Sequence, residues 1–256
     1  MSFFTHASTF FMTTRAAPRI ITNGMIRGDH LDRDDDPDFA RLVSGKTVAI
    51  VGPARTLIGS GRGHYIDSHD LVVRFNDAFE FLHGADLLAD AGERTDILYC
   101  NPVILKQTLA RGRARPDLAY VVCTNNSLSF VADDDVRAAE SSTRLRVVYA
   151  ASAMLSKWLD GNWARTGMIA ILDLLSFDVR RAFITGMTFY HGGGHLLAPA
   201  SRELHPQKNR DGTSSRSPSG QGHDSYLELS VMKDLAREFG SVLEMDETLT
   251  ALVRSA

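Results

Sequence analysis

Residues 46–76 have the sequence KTVAIVGPARTLIGSGRGHYIDSHDLVVRFN, and this stretch decides the fold class. It begins with the β-branched run Val48–Val51 and enters a turn at Gly52 and Pro53, which is typical of a strand buried on both faces. A second apolar run, Leu71–Phe75, predicts the next strand. Two such strands in close succession favour an α/β fold.

A glycine-rich segment, residues 59–63 (GSGRG), lies between the two predicted strands. Glycines allow backbone N–H groups to approach an anion closely, and the hydroxyl of Ser60 adds a further donor. The second strand ends on Asn76, at the carboxyl edge where open α/β sheets bind ligands. Strand, glycine loop and strand therefore predict a nucleotide-binding unit.

Strand and helix patterns alternate along the rest of the chain, which predicts a single Rossmann-like domain with a mostly parallel sheet flanked by helices. The predicted strands after Asn76 are Thr95–Cys100, Leu118–Cys123, Leu145–Tyr149, Ala182–Gly186 and Ser241–Met245. The predicted helical segments are Phe39–Ser44, Val103–Arg113, Ala132–Glu140, Ser152–Leu159, Ile169–Phe177, Asp224–Phe239 and Glu247–Arg254, with a loop or short helix at Ala85–Gly92.

The chain of 256 residues with 44% apolar content is long enough for one full domain, which we place at residues 41–256. Residues 1–40 contain an acidic run and no basic region before their phenylalanines, so we expect a poorly ordered leader without a signal peptide or membrane span. The aperiodic residues 192–222 predict a mobile loop beside the ligand site. A net charge of −3 gives no basic footprint for nucleic acid.

The cysteine and aspartate patterns indicate neither a metal site nor an oxidising compartment. Cys100 and Cys123 lie at or near strand ends with no CxxC or Cys/His spacing, and we interpret them as buried thiols in a reducing compartment. Asp133 to Asp135 is better explained as the start of a helix than as an Asp-x-Asp metal motif.

A second informative stretch, Asn162–Met168, contains Trp163 and Thr166 and is followed by the apolar run Ile169–Phe177. Thr166 is expected to be the N-cap of a helix whose N–H groups and positive dipole end suit a phosphate or carboxylate. The structural alternative is a capped core helix that binds no ligand.

His223 lies directly before the predicted helix Asp224–Phe239, with Glu228 on the next turn. A histidine at the amino end of a helix is pushed toward the neutral form, which suits a general base, and Glu228 is placed to orient it. Alone, such a histidine is more often a capping or surface residue.

These stretches together resemble the family 29 sialyltransferases. Residues 48–78 resemble the large sialylmotif, most clearly in IDSHDLVVRFN at Ile66–Asn76, and residues 163–186 resemble the small sialylmotif through Thr166-Gly167. His223, followed after four residues by Glu228, fits the family's very short motif. The three motifs occur in the family's order across residues 46–239, and the chain is identified as resembling a bacterial-type cytosolic member.

The resemblance implies a variant of the nucleotide-sugar transferase A fold and a metal-independent, inverting glycosyltransferase that needs no cofactor. Its donor would be a CMP-activated sugar acid, either sialic acid or Kdo, and its acceptor a glycan hydroxyl. By the same resemblance, His223 is the general base and Glu228 supports it. The donor-binding positions are Gly52, Ser60, Asn76, Trp163, Thr166, Gly167 and His195.

The chain departs from the family pattern at several positions. Pro53 and Thr56 stand where the family usually has asparagines, so a nucleotide contact must be absent or come from Ser60 or Arg55. The third family motif is matched only by His191 and His195, and we favour His195. Where secretory members carry a disulfide, this chain has Val48 and Val179, so apolar packing is expected to replace the cross-link.

Two other functions stay open at this point. Pro53 and the weak third motif allow a non-catalytic nucleotide-binding module. Gly59, Gly61 and Gly63, with Asp77 after the second strand, allow a dinucleotide-dependent oxidoreductase, although the glycine spacing is Gly-x-Gly-x-Gly and no hydride-transfer constellation follows.

Overall fold

The computed structural model describes residues 36–76, 87–105, 118–124, 144–191 and 222–255. The predicted helix Ala132–Glu140, most of Val103–Arg113, residues 1–35 of the leader and residues 192–221 of the loop lie outside this part. The helical segment Pro37–Val43 packs on the core. Phe39 is fully buried in the core, because its ring packs edge-on against Tyr120 and Phe177.

In the described ranges, seven parallel strands form one sheet in the order β5-β4-β3-β2-β1-β6-β7. Their bounds are β1 Thr47–Val51, β2 Leu71–Phe75, β3 Ile97–Cys100, β4 Tyr120–Thr124, β5 Leu145–Val148, β6 Arg181–Thr185 and β7 Leu243–Met245. The strand order reverses direction after β5, so that β6 pairs with β1. This topology confirms the predicted α/β class and places a switch point beside β1, where ligands bind in open sheets.

Helices cover both faces of the sheet. Their bounds are α1 Pro37–Val43, α2 Gly63–Asp67, α3 Leu88–Ala91, α4 Ala150–Trp158, α5 Thr166–Ser176, α6 Ser225–Glu238 and α7 Glu247–Ser255, with a 3₁₀ turn at Arg55–Leu57. In the described ranges the longest helix is α6 with 14 residues, and none of these helices is long and apolar enough to cross a bilayer.

Alternate residues of β1 belong to opposite layers of the core, as expected for a strand buried on both faces. Val48 and Ile50 contribute to the larger cluster, which α1, α4, α5, α6 and α7 cover. Ala49 and Val51 contribute to a smaller cluster that includes Ile66 of α2. Val179 is buried in the same cluster as Val48, which fits the predicted apolar replacement of a cross-link.

A buried polar network connects α5 to strands β3 and β5. Asp173 on α5 accepts two hydrogen bonds from the guanidinium of Arg146 on β5, at 2.6 and 3.0 Å. The hydroxyl of Tyr99 on β3 donates to the same carboxylate at 2.7 Å. Because every partner is almost fully buried, the network fixes the position of α5 relative to β3 and β5.

Candidate active site

Helix α5 begins one residue earlier than expected. Arg165 occupies the cap position with extended backbone, and Thr166 is the first helical residue, so the prediction of Thr166 as N-cap is wrong by one position. The Arg165 side chain makes no capping hydrogen bond, and the first backbone bond of the helix runs from Ile169 N–H to the carbonyl of Arg165. The amides of residues 166–168 therefore give this eleven-residue helix a positive end.

His223 lies at the start of α6 and is bound to the segment that leads into α5. Its Nδ1 donates to the carbonyl of Trp163 at 2.8 Å, while the backbone N–H of Trp163 donates to the carbonyl of Gly222 at 2.8 Å. Because a carbonyl only accepts, the neutral ring carries its proton on Nδ1 and its lone pair on Nε2. This tautomer is the one that a base acting through Nε2 requires.

The environment of His223 favours the neutral ring. Burial lowers the pKa of His223 below its usual value, the positive charge of Arg165 lowers it further, and the hydrogen bond to Trp163 opposes them in part. The imidazole therefore stays unprotonated to a lower pH than an exposed histidine.

Glu228 has a different partner from the one predicted. Its carboxylate accepts from the backbone N–H of Arg165 at 2.7 Å and forms an ion pair with the guanidinium of Arg165. Glu228 is completely buried, and desolvation raises the pKa of its carboxyl group while Arg165 lowers it. The residue that orients the His223 ring is therefore Trp163, through its carbonyl, and Glu228 anchors Arg165.

The predicted positions Gly52, Gly167 and Asn76 lie at the same carboxyl edge of the sheet. A Cβ atom on Gly52 would meet Met187 at 2.5 Å, and one on Gly167 would meet Met187 at 2.7 Å and Phe75 at 3.6 Å. Met187 thus packs between the end of β1 and the first turn of α5, and α5 begins beside the end of β2. Asn76 follows Phe75, and its Oδ1 accepts from the backbone N–H of Asn101 at 3.0 Å, so its amide NH₂ is the group available to a ligand.

Ser60 is not brought into this group by any of the contacts in the described ranges. Its hydroxyl donates to the backbone carbonyl of Asp90 at 3.2 Å. The amides of Gly59 and Gly61 both donate to the carboxylate of Asp90 at 2.7 Å, and these bonds lower the pKa of that carboxyl group. The anion that this loop cradles is a side chain of the same chain, which weighs against a Rossmann pyrophosphate site.

The region of the weak third motif is described only in part. His195 lies outside the described residues. The ring of His191 packs edge-on against Tyr226 with centroids 4.7 Å apart, and its Nε2 has no hydrogen-bond partner within the described segments. Thr56, which stands where the family usually has an asparagine, has a buried hydroxyl oxygen that also has no hydrogen-bond partner within the described segments.

Arg165 is the site residue that the sequence reasoning missed. Its guanidinium lies 4.7 Å from the ring centre of Tyr190 while pairing with Glu228. The signal in the sequence that could have identified Arg165 is its place directly before Thr166-Gly167.

Comparisons with known proteins agree with the motif resemblance. Residues 35–158, just under half of the chain, match the model described as glycosyltransferase family 29 (sialyltransferase). Sialyltransferase-like protein 2 from Oryza sativa subsp. indica is 44% identical over 66 residues, which cover 26% of this chain and 16% of that protein. These matches do not single out a bacterial type, and residues 163–228 lie beyond the matched family segment.

Solved sialyltransferases share the fold. A mammalian sialyltransferase in complex with Gal-beta-1-3GalNAc-ortho-nitrophenol gives a TM-score of 0.51 at 18% identity, with 80% of this chain and 71% of that chain covered. The monofunctional alpha-2,3-sialyltransferase Cst-I from Campylobacter jejuni gives 0.53 at 14% identity, with coverages of 81% and 78%. CstII from the same organism, in complex with cytidine-5'-monophosphate, gives 0.51 at 14% identity, with coverages of 79% and 80%. At identities of 14–18%, these likenesses show a shared fold.

Proposed function

We propose that this chain is an inverting glycosyltransferase that moves a sugar acid from a CMP-activated donor to a hydroxyl of a glycan. The observation that carries the proposal is the contact between the two short motifs. His223 donates from Nδ1 to Trp163, three residues before Thr166 at the start of α5. A candidate base and a helix amino end that suits an anion therefore lie together at the ligand-binding edge of the sheet.

His223 supplies the proton transfer in this proposal. Nε2 removes the proton from the acceptor hydroxyl as the acceptor oxygen attacks the anomeric carbon of the donor. The bond from that carbon to the phosphate oxygen breaks on the opposite face, and CMP leaves with the electron pair. A single displacement of this kind inverts the anomeric configuration.

The start of α5 supplies the positive potential for the donor. Both candidate donors, CMP-sialic acid and CMP-Kdo, carry a phosphate and a carboxylate next to the anomeric carbon, and both groups need N–H donors. In this proposal the amides of residues 166–168 and the NH₂ group of Asn76 provide them. Because the two sugar acids share this chemistry, these groups support either donor.

A donor screen tests the proposal. The full chain is incubated with CMP-Neu5Ac or CMP-Kdo and a panel of glycans, and CMP release and product configuration are followed by NMR. We expect turnover of one donor with inversion at the anomeric carbon. Binding of CMP without turnover of either donor would favour the non-catalytic module, and a retained configuration would contradict direct displacement.

We propose further that transfer needs no divalent metal. The charge on the leaving phosphate would be met by the amides at the start of α5 and by the chain's own cations. Addition of EDTA should leave the transfer rate unchanged, whereas loss of activity that manganese restores would contradict this proposal.

We infer a reducing, cytoplasmic location from the two thiols. Cys100 and Cys123 face each other in register on β3 and β4 as free, buried cysteines, and burial raises the pKa of Cys123 to about 12. Alkylation under denaturing conditions of protein taken directly from its cells should modify both thiols. A disulfide in that material would overturn the inference.

A further inference from the structure

Arg165 is bound twice by one carboxylate. Glu228 accepts from the backbone N–H of Arg165 and also pairs with its guanidinium, and the side chains are 0% and 17% exposed, respectively. The guanidinium also lies over the ring of Tyr190. Because Glu228 is fully buried on α6, Arg165 is held in place from both its main chain and its side chain.

The same short segment carries the group that orients His223. Trp163, two residues before Arg165, accepts from Nδ1 of His223 and donates its backbone N–H to Gly222. Residues 163–165 are therefore hydrogen-bonded to residues 222–228 at both ends of the segment, through Trp163 and through Arg165. Any movement of Arg165 away from Glu228 would displace the carbonyl that fixes the His223 tautomer.

We infer that Arg165 is a positioning residue for His223: paired with Glu228, it holds the Trp163 carbonyl against the imidazole and keeps a positive charge near the ring. The inference rests on the proposed function, in which His223 is the base. It assigns to Arg165 a role that none of the sequence motifs predicted. This arrangement keeps Nε2 of His223 unprotonated and oriented for proton transfer.

The other polar groups around the imidazole do not replace Arg165. On α6, the carboxylate of Asp224 caps the helix by accepting from the amides of Tyr226 and Leu227, and Glu228 is paired with Arg165. The neighbouring segment contributes Tyr190 and His191, which contact Arg165 and Tyr226, respectively. Within the described ranges, Arg165 is the cation whose charge lowers the pKa of His223.

The geometry sets the direction in which loss of the Arg165 charge shifts the pKa of His223. Removing the charge of Arg165 raises the pKa of His223, and an ionised Glu228 left without its partner raises it further. The neutral fraction of the base then falls at low pH. Below both pKa values, an increase of about one in the pKa lowers the transfer rate about tenfold.

NMR titration of ¹⁵N-labelled histidine in the full chain measures this effect without needing turnover. In the parent we expect His223 to carry its proton on Nδ1 with a pKa below the ordinary value, and in Arg165→Gln we expect that pKa to rise. Arg165→Lys keeps the positive charge, so its His223 pKa should lie close to that of the parent. Arg237→Gln serves as the matched control, because Arg237 is an exposed arginine on α6 paired with Asp234.

The pH–rate profile gives a second readout. In Arg165→Gln, the acidic limb should move to higher pH by the same amount as the His223 pKa measured by NMR. The affinity for CMP should change little. If Arg165→Gln does not fold, the double variant Arg165→Met with Glu228→Leu replaces the pair by apolar side chains, and it should show a smaller rise, because no unpaired carboxylate is left.

An unchanged His223 pKa in a folded Arg165 variant, or an unmoved acidic limb, would overturn the inference. Absence of transfer by the parent, with the NMR shift present, would instead count against the proposed function and would support the coupling of Arg165 to His223.

Discussion

Asn76 adopts a backbone conformation that few residues other than glycine and asparagine accept, with φ at 52°. Its side-chain oxygen accepts from Asn101, so this conformation links the end of β2 to the end of β3. The sequence predicted a polar group at this strand end. It did not predict the left-handed turn, because the geometry depends on a partner from another strand.

Asn76→Ala should weaken CMP binding by about 1–3 kcal/mol, because a buried polar contact is lost while its partner stays unpaired. Alanine also strains the left-handed backbone, so Asn76→Gly is the matched control that removes the side chain without that strain. Calorimetry with CMP should show a loss in both variants, and thermal melting should show destabilisation mainly in the alanine variant. Unchanged affinity in both would mean that the donor site is placed wrongly.

The pairing of Arg165 with Glu228 could not be predicted from the sequence. The motif spacing put Glu228 one turn from His223, and a direct contact was the simplest expectation. The structure pairs the carboxylate with Arg165, 63 residues away in sequence. A pairing across this separation follows from how α5 and α6 pack, and one sequence contains no periodicity that encodes it.

At the scale of elements, the site depends on close approach between the end of β1, the turn after β6 and the first turn of α5. A Cβ atom on Gly52 would lie 2.4 Å from the carbonyl oxygen of Gly186, a backbone atom that cannot move aside. A Cβ atom on Gly167 would meet the flexible end of Met187 at 2.7 Å. Gly52 thus has a packing role, which the nucleotide-loop interpretation did not consider.

Gly52→Ala should therefore destabilise the fold by about 1–3 kcal/mol, as expected for overpacking. Gly167→Ala should cost less, because the Met187 side chain can shift and alanine favours the helix. Denaturant unfolding of the two variants measures the difference. Equal losses, or a larger loss for Gly167→Ala, would show that the approach of β1 to Gly186 is less rigid than the distances indicate.

The strands and most helices could be predicted because their apolar patterns are local. β2 begins and ends at the predicted residues, and α6 differs by one residue at each end. The start of α5 could not be predicted from local sequence, because Glu228 on another helix binds the backbone N–H of the cap residue Arg165. The partner of the glycine-loop amides could not be predicted, because they bind Asp90 and no local pattern reveals that residue.

For the whole molecule, the parallel sheet brings together segments that are far apart in sequence. Asn76 follows β2, Gly52 follows β1, and α5 and α6 carry Arg165 and His223 to the same edge. The family match ends at residue 158, so the contacts between residues 163–165 and 222–228 are an observation of the structure that the family match does not supply. His223 is the residue on which the proposed chemistry depends.

The most direct measurement is the transfer rate of His223→Ala on a confirmed donor and acceptor, together with its CMP affinity and Tm. A general base contributes about 10²–10⁴-fold, and His223 lies at a loop-to-helix junction. We predict that transfer falls by that factor while CMP binding and melting stay close to those of the parent. A folded variant that binds CMP and keeps most of its transfer rate would contradict the assignment of His223 as the base.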